Sequence, residues 1–235
     1  MGQVVIERCA TGIRGFDDIS QGGFVRNSSN VIIGGPGSGK TTFLLQFLHN
    51  GVTKYQENGL YCSFEPDIIE TINDASSYGW DFFKLSESGK IRFVKFSPET
   101  TIDELKSELT KIISQNNIRR LCIDPVSILA ISINEQGKIR QKIFELVSLM
   151  KRLKVTTILA DESMEAEMTG GFREGNWTKT DIIRFLSDSV TIFYTSGLAA
   201  TSDRALRIEK MRRTAHRRNL IGMKVTDVGV NVISD

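Results

Sequence analysis

The sequence predicts an α/β fold: a mostly parallel central sheet flanked by helices, passing into a C-terminal β-hairpin region. Three observations carry that reading. Short apolar runs alternate with segments of helical periodicity as far as Ala160, one strand-to-helix junction is a glycine-rich loop, and after Ser189 only strand-like runs remain.

Val31 to Ile33 reads as the first core strand and Thr41 to Val52 as the helix behind it. Leu60 to Phe64 is a second strand. The helix that starts at Asp67 carries Ile68, Ile69, Ile72 and Ala75 on one face and stops at Gly79. A third strand covers Ile91 to Phe96. The next helix shows the clearest spacing, with Ile102, Leu105, Leu109, Ile112 and Ile113 at helical intervals before the Asn116-Asn117 turn. Strand Leu121 to Ile123 ends on Asp124. A longer helix buries Ile139, Ile143, Leu146, Val147 and Met150 and leads to strand Val155 to Ala160. Ser163 to Trp177 is glycine-rich and irregular. The closing strand-like runs are Thr191 to Tyr194, Leu206 to Met211, Leu220 to Val225 and Val230 to Ile233.

At 235 residues and 40% hydrophobic, the chain is long enough for one large core, and no repeat or linker marks a second domain, so a single domain over 1–235 is expected. A formal net charge of +2 gives no bulk attraction to nucleic acid or to an anionic membrane. Any such binding must be local. Cys9, Cys62 and Cys122 lack metal spacing, and the latter two lie in apolar runs. They suit a reducing cytoplasm. No apolar run reaches the roughly 18 residues of a membrane span, and the N-terminus lacks a signal-peptide core, so a cytoplasmic protein with no membrane partner is expected.

"GGPGSGKTT" follows the first strand and opens the first helix, and Gly34-x-x-x-x-Gly39-Lys40-Thr41 matches the phosphate-binding pattern GxxxxGK[ST]. Gly35, Pro36, Gly37, Ser38, Gly39, Lys40, Thr41 and Thr42 are therefore the nucleotide-binding candidates. Glycines let the backbone wrap so that its N–H groups and the helix N-terminus converge on phosphate oxygens. Lys40 reaches the β- and γ-phosphates in such loops, and the Thr41 hydroxyl holds Mg²⁺. A second metal contact is expected from Asp124, which closes "RRLCID" at a strand end. Hydrolysis also needs a group to orient or deprotonate water, and Glu65 follows another strand in "LYCSFEPD". Spacing alone leaves Glu65 open between a solvated loop glutamate and a catalytic one.

Taken together, "GFDDISQGGF", "GGPGSGKTTFLLQFLHNGV", "FEPD", "YGWDFFKL", "LCIDP", "IEKMRRTAH" and "VTDVGVNVI" resemble one domain of KaiC, a family within the RecA-like ATPases. The resemblance runs from about Thr11 to Ile233 and is closer to the first KaiC domain than to the second. It implies a RecA-like P-loop NTPase fold, with ATP and Mg²⁺ bound between subunits of a homo-oligomeric ring, usually a hexamer. It also implies that Glu65 activates water, and that Lys210 and Arg212 of the "KMR" stretch extend from one subunit to the γ-phosphate on its neighbour. His216, Arg218 and Asp227 match positions that line the same intersubunit pocket. Two departures stand out. KaiC domains carry two adjacent glutamates after the second strand, whereas Pro66 follows Glu65 here, which points to slow hydrolysis. The Ser-Thr pair that the second KaiC domain phosphorylates is replaced by Arg184 and Phe185, which points away from self-phosphorylation.

RecA-like recombinases bind single-stranded DNA through two loops, here about Ser127 to Lys138 and Ser163 to Trp177. The second carries Glu165, Glu167 and Glu174 against Arg173 alone, and the first sets Lys138 against Glu135. That chemistry suits a polyanion poorly. Phe172 and Trp177 read better as anchors or subunit contacts than as base-stacking platforms. Three functions remain: a slow ATP-driven oligomeric switch read by a protein partner, which is favoured; a recombinase-like single-stranded-DNA-binding ATPase; and an ATP-binding scaffold with little hydrolysis.

Overall fold

In the computed structural model, residues 5–65, 67–130, 133, 135–162, 179–195 and 204–233 are described. A nine-stranded sheet organises them. In chain order the strands are β3 (Ser29–Gly34), β4 (Asn58–Ser63), β5 (Ile91–Lys95), β6 (Ile118–Asp124), β7 (Thr156–Glu162), β8 (Ser189–Tyr194), β9 (Arg204–Met211), β10 (Ile221–Thr226) and β11 (Gly229–Val232). Their spatial order is β11-β10-β9-β8-β3-β7-β6-β4-β5, with β3 to β8 mutually parallel and β9 to β11 antiparallel. The C-terminal hairpins thus extend the parallel sheet. Strands β1 (Arg8–Cys9) and β2 (Phe24–Val25) form a separate antiparallel ribbon, each too short to show a period in sequence.

Successive side chains of a strand point to opposite faces, and both faces here are covered by helices, so the strands read as continuous apolar runs. Val31 and Ile33 enter one core with Leu121, Leu159 and the apolar stripes of α5 (Ile102–Asn116) and α6 (Gln136–Arg152). Ile32 enters the other, where Phe43, Leu44, Phe47 and Leu48 of α2 (Lys40–Tyr55) pack on the sheet. Short helices α1 (Phe16–Ile19), α3 (Ile68–Ser76) and α4 (Phe82–Glu87) complete the α2 side, while α7 (Lys179–Leu186) lies beside α6. A 3₁₀ turn at Val126–Ala130 follows β6.

The sequence assigned neither α4 nor α7, because each is too short for a helical period to separate from its neighbours. Two of the motifs quoted above are framework. In "GFDDISQGGF", Asp17 accepts hydrogen bonds from the Thr11 and Gly12 amides, both at 2.9 Å, and from the Thr11 hydroxyl at 2.7 Å. In "YGWDFFKL", Trp80 stacks on His49 of α2 at 5.5 Å and Asp81 caps α4 through the Lys84 amide.

A charged network lies beneath the sheet, at the edge away from the glycine-rich loop. Arg120, the third residue of β6, has only 1% of its surface exposed. It donates to Glu57 at 2.6 Å and to the carbonyls of Phe47 and Ala10, both at 2.9 Å. Glu57 also binds Arg26 at 2.6 Å. Burial alone would lift the Glu57 carboxyl, but the hydrogen bond from Arg26 and the charge of Arg120 hold it below its ordinary value.

Candidate phosphate site and the opposite edge of the sheet

The loop between β3 and α2 is built as its spacing requires. Gly39 stands at the head of α2 with φ 96°, a conformation L side chains avoid. A Cβ on Gly34 would lie 2.6 Å from Ser38 Oγ and 2.9 Å from the Phe193 carbonyl oxygen. The loop can therefore close only over glycine there. Lys40 Nζ curls back onto the Gly34 and Gly35 carbonyls at 2.8 and 3.1 Å, and Glu162 at the end of β7 stands 3.8 Å from it. Ser38 Oγ is buried and, among the described residues, has no hydrogen-bond partner. An unpartnered buried hydroxyl, a lysine on its own loop and the N-terminus of a 16-residue helix make up a set of donors that fits a polyphosphate.

The strand order brings the other expected residues to this edge. Ser63 of β4 pairs with Asp124 of β6, so Glu65, two residues beyond Ser63, is carried past the same edge, where it is exposed. Asp124 is nearly buried, and one of its oxygens accepts from the Thr41 hydroxyl and from the Tyr61 hydroxyl, both at 2.9 Å. Burial raises the Asp124 carboxyl, against the opposing pull of those hydrogen bonds and of Lys40. A buried carboxylate in contact with a threonine hydroxyl is suited to Mg²⁺, which takes one or two protein ligands and completes its shell with water and phosphate. Among the described residues, no group of three or more His, Cys, Asp or Glu could hold a metal ion.

The KMR stretch lies at the other end of the sheet. Met211 pairs with Ser189, and Asp188 bonds to Ser29, the first residue of β3, whereas the phosphate loop leaves from Gly34. Five strand residues separate these levels, about 16 Å at the usual rise. A register shift between Val190 and Thr191, opposite β9, bends the strand just before Lys210. Lys210 Nζ donates to the carbonyls of Arg184, Phe185 and Ser187 at 3.2, 3.1 and 2.6 Å, at the C-terminus of α7. Burial, with the neighbouring Arg212 charge, lowers the Lys210 ammonium. Arg212 is exposed. His216 and Arg218 follow in the loop to β10, with His216 Nδ1 3.0 Å from the Arg217 carbonyl oxygen and Arg218 exposed. Asp227 lies instead in the turn after β10, whose Val225 approaches Gly39, so it belongs to the phosphate-loop end of its own chain.

Sequence spacing does not mark Tyr61, Glu162 or Arg204 for this site, yet Arg204 Nε donates to the Gly37 carbonyl at 2.9 Å from the far end of β9. Glu162 and Arg204 reach the loop, and Tyr61 reaches Asp124, through strand neighbours that one sequence does not display. The only hint was that Glu162 closes an apolar strand, as Asp124 does. Arg184, at one of the two positions contrasted with the phosphorylated pair, is bound to Glu209 at 2.6 Å. Pro66 and the stretch Ser163 to Trp177, with its acidic residues and Phe172 and Trp177, lie outside the described residues.

The sequence pattern of the family described as "ATPase: KaiC" matches residues 9–235. The chain belongs to the KaiC ATPase family. It is 31% identical to the circadian clock oscillator protein KaiC of Synechococcus elongatus (strain ATCC 33912 / PCC 7942 / FACHB-805), over 97% of this chain and 44% of that protein. It is 30% identical to the KaiC of Parathermosynechococcus lividus, over 97% of this chain and 42% of that one. This KaiC-family chain therefore spans less than half the length of these curated relatives. Among solved structures it resembles a KaiC-like protein of the hyperthermophilic archaeon Pyrococcus horikoshii OT3, with a TM-score of 0.82 and 28% identity, covering 98% of this chain and 100% of that one. The RecA-like fold expected from sequence is the fold observed. Among the described residues, no helix is long and apolar enough to cross a membrane.

Proposed function

We propose that this KaiC-family chain acts as a single ATPase domain, 1–235, that binds and slowly hydrolyses ATP in a cytoplasmic homo-oligomeric ring, a hexamer, and signals nucleotide state to a protein partner. The separation of Arg212 from the phosphate loop of its own chain is the observation that supports it: no side chain spans about 16 Å of strand, so Arg212 can act on a γ-phosphate only in a second copy.

Within one site, the loop amides from Gly35 to Thr42 and the Lys40 ammonium hold the phosphates, with Ser38 Oγ supplying a further polar contact. Thr41 and Asp124 would hold Mg²⁺, which when bound neutralises charge on the β- and γ-phosphate oxygens. Tyr61 keeps the Asp124 carboxylate turned toward Thr41 by its hydrogen bond. Glu65 accepts the proton of the attacking water or orients it. Arg212 of the neighbouring copy stabilises the charge that spreads over the transferred phosphoryl oxygens, a role worth 10³ to 10⁵ in rate where arginine fingers have been removed. Lys210 holds the strand that carries Arg212, and His216 and Arg218 of that copy flank the same nucleotide. A lone glutamate followed by proline, in place of a glutamate pair, supports slow turnover.

Phosphate release from Mg-ATP across a range of protein concentrations, with and without single-stranded DNA, tests the reading. Specific activity should rise with concentration and ignore DNA. Activity per chain that is constant down to fully monomeric protein would refute a shared site, and marked stimulation by DNA would favour a recombinase-like ATPase instead.

A further inference from the structure

Three cations crowd one buried carboxylate at the base of the finger. Asp188 is 6% exposed and is pinned to the start of β3 in both directions, its amide donating to the Ser29 carbonyl at 2.7 Å and its Oδ2 accepting from the Ser29 amide at 3.0 Å. The Arg212 amide donates to the Asp188 carbonyl at 2.9 Å, which fixes the arginine's backbone beside that carboxylate. An arginine and a carboxylate so placed favour a two-pronged, charge-assisted pair. That pair is not formed. Lys151, from the last turn of α6, holds both carboxylate oxygens, at 2.9 Å to Oδ1 and 2.7 Å to Oδ2, and Arg212 Nη1 stands off at 3.9 Å with 53% of its side chain exposed. Lys210, the third cation, is engaged by the carbonyls at the end of α7.

We propose that Lys151 is a positioning residue for the trans-acting arginine: by holding the Asp188 carboxylate, it keeps Arg212 from closing onto that carboxylate and leaves the guanidinium available to the nucleotide of a neighbouring copy. The inference rests on the reading of Arg212 as the group contributed in trans. Asp188 in turn anchors the backbone of Arg212 to β3, the strand whose other end becomes the phosphate loop. Without Lys151, the buried carboxylate has, among the described residues, one remaining mobile cation within reach, and pairing with it withdraws Arg212 from the subunit boundary.

The test is a double-mutant cycle on the full chain, read as steady-state phosphate release with melting midpoints measured in parallel. Lys151→Met should lower kcat at least tenfold while changing the KM for Mg-ATP less than twofold. Adding Asp188→Asn should restore kcat to within about threefold of wild type, because the amide still accepts from Ser29 but no longer captures an arginine. Lys151→Gln, which keeps a polar group in the pocket, should behave as Lys151→Met does and serves if the methionine variant does not fold. A merely structural lysine gives the opposite pattern: the second substitution leaves the loss in place or deepens it, and that result overturns the proposal, as does undiminished kcat in both lysine variants. Arg212→Ala is measured alongside. Wild-type activity in that variant would remove the trans-arginine reading itself, a failure distinct from absence of rescue when Arg212→Ala is inactive.

Discussion

Gly39 takes a φ of 96° at the head of α2, and a Cβ there would also meet Val225 Cγ2 at 3.4 Å and Met223 Cε at 3.5 Å. Gly39→Ala should therefore cost about 1–2 kcal/mol, the penalty for holding an L residue in the left-handed region. It should also weaken nucleotide binding without unfolding the domain, and denaturant melts with nucleotide titrations check both. Lys40→Ala removes the charge aimed at the phosphates and should weaken ATP binding by about 100-fold or more, measured by calorimetry; undiminished binding would refute the phosphate-loop assignment. These residues were legible because the loop, its strand and its helix are contiguous in the chain. Tyr61 and Arg204 were not, since Tyr61 meets Asp124 across the β4–β6 pairing and Arg204 meets Gly37 across strands β8 and β9. Glu57 was hidden for the same reason. Its carboxyl lies below its ordinary value near 4.5 in the fold, so its contribution is present above that value and is lost as pH falls through the lower folded value. Glu57→Gln should cost about 3 kcal/mol at pH 7, as breaking a buried ion pair does, and the gap from wild type should narrow in urea melts below pH 4.

At the scale of elements, helix ends show how far local chemistry dictates structure. Thr101 accepts from the Glu104 amide at 3.3 Å while the Glu104 carboxylate accepts from the Thr101 amide at 2.8 Å, a reciprocal box that starts α5 where its apolar stripe begins. Thr101→Ala should cost about 1 kcal/mol in thermal or urea unfolding. The start and stripe of α5 were therefore readable. Helix α7 was not, because its eight residues end without a glycine or a side-chain signal of their own. Its last carbonyls are satisfied by Lys210, which lies on a different strand. Lys210 stands two residues before Arg212, so the same tertiary cap fixes the backbone that leads to it.

For the whole molecule, the parallel strands and the antiparallel hairpins share one sheet whose two ends carry different chemistry. The C-terminal ends of β3, β4 and β6 gather Lys40, Thr41, Asp124 and Glu65, whereas the opposite edge gathers Lys151, Asp188, Lys210 and Arg212. If, as proposed, each end of this surface offers one half of a site, the copies associate head to tail, and such heterologous contacts close into rings when the rotation permits. Neither the strand order nor the separation of the two edges can be read from spacing, because each depends on crossovers between distant segments. Mixing two inactive variants tests this division most directly. Glu65→Gln and Arg212→Ala should each lack phosphate release alone. Co-assembled in equal amounts, they should recover about a quarter of wild-type activity, the share of interfaces that pairs an intact Glu65 with a neighbour's intact Arg212 when subunits mix at random in a heterologous ring. No recovery in verified mixed oligomers would mean that each site is completed within one chain, contrary to the arrangement proposed here.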